Sequence, residues 1–151
     1  MKRMLSILIL VVLTFALCGA KLEDGSVDLA AVLDAFELGE EMMMLDINDM
    51  ADIYYMEPED IKQVAAAVHT SGINCDEIIL IEAVDADAAA TIQMILDARY
   101  QAKLNETDDY LPEENAIIRE CSVTVNGNYV AMIVAPNAAD LVAIYEASFE
   151  E

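Results

Sequence analysis

The chain has 151 residues, 57% of them hydrophobic, and sets 29 Asp and Glu against seven Lys and Arg, for a net charge of −22. That balance excludes a nucleic-acid or anionic-headgroup surface, which needs Lys and Arg to neutralise phosphate. The apolar content excludes general disorder, and the length suits one domain.

The first element is an export segment. Lys2 and Arg3 form a cationic start, and no charge follows from Met4 to Ala20. Met4 to Leu17 is 14 residues, about 21 Å as a helix, shorter than the roughly 20 residues of a membrane span. A cleaved signal over residues 1–17 is therefore expected. Cleavage before Cys18 leaves a cysteine to carry lipid, such as palmitate, although Leu17 is larger than the small residue such a site prefers. Cleavage after Ala20, in Cys18-Gly19-Ala20, releases a soluble protein. An uncleaved anchor is the third alternative. Without Lys2 and Arg3 the charge is two units more negative, −24, and the 13 acids between Lys21 and Asp60 face one cation. The simplest role of such a face is solubility.

Residues 18–25 read as the lipid-bearing cysteine and a polar tether, and residues 26–151 as a single globular domain. Asp28 opens an amphipathic helix with Leu29, Val32, Leu33 and Phe36 on one face, ended by Gly39. Glu40 to Leu45 is ambiguous and can add an edge strand. Asp46 to Tyr55 predicts a short helix. Pro58, followed by Glu59 and Asp60, predicts a third helix with a stripe of Ile61, Val64, Ala65 and Val68, stopped by Gly72.

Asp76 to Asp85 is the clearest strand. Ile78 to Ile81 is bulky at every position, as in a strand buried on both faces. Asp85 or Asp87 caps a long helix to about Leu104, and Tyr110-Leu111-Pro112 reads as a loop. Ala116 to Val125 and Asn128 to Ala135 predict two strands around Asn126-Gly127, the strongest short-range hairpin signal. Pro136-Asn137 starts a last helix with Leu141, Ile144, Tyr145 and Ser148 on one face. The order predicts an α+β fold: three N-terminal helices, then a β-α-β-β-α unit with a small, mostly antiparallel sheet packed against helices.

Three stretches then carry a family likeness: Ser71 to Ile78 (SGINCDEI), Arg99 to Ile118 (RYQAKLNETDDYLPEENAII) and Asn128 to Ala138 (NYVAMIVAPNA). With the signal and Cys18, the chain resembles the bacterial lipoproteins grouped as domain of unknown function 4358, over roughly Val27 to Phe149. The resemblance implies an exported, membrane-tethered protein typical of Gram-positive anaerobes. It implies no activity, since none is assigned to the family.

Candidate chemistry is sparse. Asp46, Asn48, Asp52 and Glu57 fall at calcium-loop positions 1, 3, 7 and 12, but Met50 and Ala51 stand where an oxygen donor and a glycine belong. His69 and Cys75 lack partners at a transition-metal spacing. Met42, Met43 and Met44 are consecutive and cannot all face one copper ion; packing, or a sticky groove, suits them better. No metal or cofactor is expected. Gly-x-Ser-x-Gly is absent, and no Cys–His pair has a third orienting group. Cys75 and Cys121 read as two buried thiols, with a disulfide as the alternative.

One oddity stands out on the long helix. Its apolar line of Ala88, Ile92, Ile95 and Leu96 continues into Arg99 and Lys103, two of the five cations after the signal. Either their stems cover apolar surface while their heads meet internal acids such as Glu106, Asp108 or Glu113, or they form an anion pocket with Tyr100 and Tyr110 nearby. The functional expectation is a non-catalytic, lipid-anchored cell-surface domain that binds a protein or a small molecule. The alternatives are an envelope hydrolase or redox enzyme, which would show converging titratable groups of perturbed pKa, and a structural envelope protein.

Overall fold

The computed structural model describes residues 21–150. The segment expected to direct export, residues 1–17, and Cys18 lie outside the described residues. Strand β3 (Glu77–Ala83) is the centre, with every residue buried. It pairs on one side with β2 (Ile61–His69) and on the other with β5 (Tyr129–Val134). β1 (Met42–Leu45) and β4 (Ser122–Asn126) are the outer strands, giving a five-stranded sheet of order β1-β2-β3-β5-β4. All four pairings are antiparallel.

Residues opposite one another across a ladder share a face. Glu77, Ile79 and Ile81 thus line up with Val68, Ala66 and Val64 on β2, and with Val134, Met132 and Val130 on β5. This face carries α2 (Ile47–Tyr54) and the long α3 (Ala86–Thr107), whose side chains reach Glu77. Helix α4 (Pro112–Arg119) fastens to α3 where the Asn115 amide donates to the Leu104 carbonyl at 2.9 Å. The other face carries α1 (Leu29–Asp34) and α5 (Ala138–Ala147). A cavity of about 160 Å³ separates Phe36, Ile78 and Leu141 there.

Local chemistry explains most element boundaries. The Asp28 carboxylate accepts from the Ala31 N–H, and Asp85 accepts from the Ala88 N–H, each as a helix cap. Asp46 and Asp49 form a reciprocal capping box at the start of α2. Asn137 stands at the N-cap of α5 but makes no side-chain capping bond.

The structure corrects two parts of the predicted order. Residues 61–69 form a strand, not a third helix. The helix-start signal at Pro58 is real but is spent on one 3-10 turn, Pro58–Asp60. Ala65, Ala66 and Ala67 favour helix by propensity, yet they sit opposite Leu80, Ile79 and Ile78. Small residues there let the bulky central strand be covered closely on both faces, and packing overrides propensity. The second correction concerns residues 112–119, which form α4, with Pro112 at its first turn; β4 begins only at Ser122.

The β4–β5 hairpin forms as expected, one residue further on. Asn126 pairs with Tyr129, so the turn residues are Gly127 and Asn128, and Gly127 takes φ +58°. The segment 21–25 is docked rather than free. Lys21 pairs with Val27 as an isolated bridge, and the Lys62 ammonium lies 2.9 Å from Asp24 and 2.9 Å from Glu82.

Candidate functional site

Acids dominate the charge of the chain, but a dense cluster of charged groups lies inside. Glu77 opens β3 immediately before Ile78 to Ile81, and its side chain is fully buried. A carboxylate taken from water at such a place requires partners. Three side chains supply them. Arg99 and Lys103, four residues apart, lie on one face of α3. Arg99 grips the carboxylate from two nitrogens, Nε to Oε1 at 3.1 Å and Nη2 to Oε2 at 2.9 Å. Lys103 Nζ lies 2.7 Å from Oε2. Tyr54, the last residue of α2, donates its hydroxyl to Oε1 at 2.7 Å.

The cluster is electrostatically graded. The Lys103 side chain is only 5% exposed, whereas that of Arg99 is 35% exposed. Burial opposes ionisation of Glu77, but the Arg99 and Lys103 bonds outweigh it and hold the carboxyl below its ordinary range. Burial, and then the Glu77 charge, push the Tyr54 phenol well above its usual value. Tyr54 therefore remains a donor. Glu77 is the contact partner of both cations, and Glu106 adds a longer-range attraction on Arg99.

Neighbouring groups form a second layer. The Cys75 N–H donates to Glu114 at 2.9 Å, joining the start of β3 to α4. Burial raises the Asp76 carboxyl, and Glu114 raises it further. Cys75 and Cys121 are free thiols, half-buried and buried respectively. Burial is the main cause raising the pKa of each. The Cys121 Sγ lies 3.2 Å from the Ile117 carbonyl.

The residues singled out from sequence are thus partly brought together. Arg99 and Lys103 share one site, and their carboxylate is Glu77 rather than Glu106, Asp108 or Glu113. Asp108 pairs instead with Arg119 at 3.0 Å. The Tyr100 hydroxyl is directed to the carbonyls of Ile118 and Cys121, at 2.9 and 3.0 Å. Tyr110 is 85% exposed. The Asp46 carboxylate is occupied as a helix cap, and His69 Nδ1 accepts from the Ser71 N–H at 3.0 Å. Among the described residues, no three His, Cys, Asp or Glu side chains converge as a metal cage. Sequence reasoning missed Glu77 and Tyr54. The signal for Glu77 was present: an acid leading directly into a wholly apolar strand needs cations, and two lay on the core line of the next helix.

Residues 34–135 match the sequence signature of a family described as a domain of unknown function, DUF4358. The chain belongs to this family. The DUF4358 region takes in all five strands and the whole Glu77 cluster, while α5 lies beyond it. No curated protein and no solved structure matches the chain. Among the described residues of this DUF4358 protein, no helix is long and apolar enough to cross a membrane.

Proposed function

We propose that this protein is an exported bacterial lipoprotein, anchored through Cys18 to the outer face of the cell membrane. Its domain serves as a binding module rather than an enzyme. The cationic start at Lys2 and Arg3, the short uncharged run and Cys18 support the address. The observation that carries the binding role is the distribution of exposed apolar side chains. Of the seven large apolar side chains at least half exposed among the described residues, four, Met43, Met44, Ile53 and Tyr55, fall within β1, α2 and its C-cap, with Met43 and Met44 on opposite faces of the strand, while Ile73, Met94 and Tyr110 lie elsewhere. Interaction surfaces are marked by such concentrations. The charged interior around Glu77 is closed on itself and serves architecture. The partner is a protein or small molecule outside the membrane, not a nucleic acid.

Two measurements test this. Labelled palmitate should enter the wild-type chain in cells and fail to enter Cys18→Ala; equal labelling of the two would reject the anchor. Photo-crosslinkers placed at Met44 and Tyr55 should capture a defined partner on intact cells, whereas crosslinkers at Asp97 should not.

A second reading rests on the partial exposure of the Arg99 side chain, 35%, beside the buried Glu77. It places a small carboxylate or phosphate at the exposed edge of Arg99. Inorganic phosphate should then stabilise the wild-type protein more than Arg99→Ala; equal stabilisation would reject this reading.

A further inference from the structure

Among the described residues, the outer strand β1 has one edge bonded to β2 and one edge open, because it ends the strand order. The bonding phase shows what the open edge presents. The Thr70 N–H donates to the Glu41 carbonyl at 3.0 Å. Residues 41 and 70 are therefore a hydrogen-bonded pair, and the antiparallel register makes Met43–Val68 and Leu45–Ala66 the next ones. Met42 and Met44 fall between them, so their backbone groups point away from β2. The Met42 N–H is taken by the Gly39 carbonyl at 3.0 Å. The Met42 carbonyl and both the N–H and the carbonyl of Met44 face outward without a partner among the described residues.

The surroundings select what can pair there. The Met43 and Met44 side chains are 50% and 58% exposed and lie on opposite faces of the strand. Methionine adapts its shape to varied partners. Exposed Glu40 and Glu41 precede the strand and exposed Asp46 follows it. Between Leu22 and Ile61 the sequence contains no Lys or Arg. A second copy would bring the same acids against these, and like charges placed face to face disfavour pairing. A cationic segment meets the opposite condition.

We infer that the open edge of β1 at Met44 receives an extended, Lys- or Arg-bearing polypeptide segment as an added antiparallel or parallel strand. Main-chain bonds to Met44 set its register, and Glu40, Glu41 and Asp46 select its charge. This inference rests on the binding-module reading and names the chemistry of its partner.

The test uses the full-length chain in detergent micelles and the blocked peptide acetyl-Lys-Val-Lys-Val-Lys-Val-amide. Binding should protect the Met44 amide from hydrogen exchange and weaken steeply with salt. The Glu-for-Lys peptide should not bind. Met44→Pro deletes the outward N–H together with the exposed thioether, and proline is tolerated on a strand edge facing solvent. It should leave the circular dichroism spectrum unchanged and weaken the peptide roughly tenfold or more. A spectrum that changes would move the comparison to Glu40→Lys/Glu41→Lys, which should weaken the peptide while leaving the strand intact. Equal binding to wild type and to the variant that keeps its fold overturns the inference, as does self-association through β1 in sedimentation. Cell-surface capture that survives Met44→Pro overturns the edge site while leaving the binding module standing; capture lost only at other surfaces does the same.

Discussion

Lys103 Nζ and Glu77 Oε2 lie 2.7 Å apart, with both side chains almost or wholly sealed from water. The pair ties the C-terminal half of α3 to the first residue of the central strand. Removing its two members should not be equivalent. Glu77→Gln leaves the buried Lys103 ammonium without its contact counter-charge and should cost about 3–5 kcal/mol. Lys103→Met keeps an apolar stem and leaves Glu77 bonded to Arg99 and Tyr54, so it should cost clearly less. Urea denaturation of both variants measures the order. The reverse order would mean that Glu77 is not the centre of the cluster.

The same cluster sets a pH dependence. The folded-state pKa of Glu77 is depressed, so its stabilisation is fully present above the unfolded glutamate value of about 4.3 and is lost as pH falls through the lower folded value. Acidification also relieves repulsion among the many surface acids, so wild-type stability alone mixes two effects. The difference between wild type and Glu77→Gln isolates this one. It should be constant from pH 7 to about 5 and shrink below about pH 4. A gap that does not begin to shrink below about pH 4 would contradict the assignment.

Strand β2 offers a test of packing against propensity. Ala66 is buried opposite Ile79, on the face away from the Phe36–Ile78–Leu141 cavity. Ala66→Ile raises strand propensity but inserts bulk into a filled layer, which should cost about 1–3 kcal/mol. A gain in melting temperature would show that the alanines are not there to make room.

The hairpin separates two adjacent residues. Gly127 holds φ +58°, and no atom lies within 4 Å of where a Cβ would stand. Gly127→Ala should therefore cost about 1 kcal/mol through backbone strain alone. Asn126 does not adopt positive φ, so Asn126→Ala should be nearly neutral. Thermal melts of the two variants check the contrast.

Periodicity and capping chemistry made much of the fold legible. Asp28, Asp46 and Asp85 announce helices because a short carboxylate can satisfy N–H groups only a few residues away. Ile78 to Ile81 announces a doubly covered strand, and Asn126-Gly127 announces a hairpin. These are local interactions, so sequence alone determined them, along with the acidic charge and the core line of α3 that runs into Arg99 and Lys103. Tertiary structure decided what local rules leave degenerate. The apolar spacing of Ile61, Val64, Ala65 and Val68 fits a helix face, and only the bulk of β3 beside it makes Ala65 to Ala67 a strand. The partner of Arg99 and Lys103 lies 22 residues or more upstream, where the sheet brings it beneath the helix, so the nearer acids Glu106, Asp108 and Glu113 were the natural candidates by sequence distance. Burial made the difference: it is the loss of water, which no linear pattern records, that turns Glu77 from one acid among 29 into the one that two cations and a tyrosine must meet.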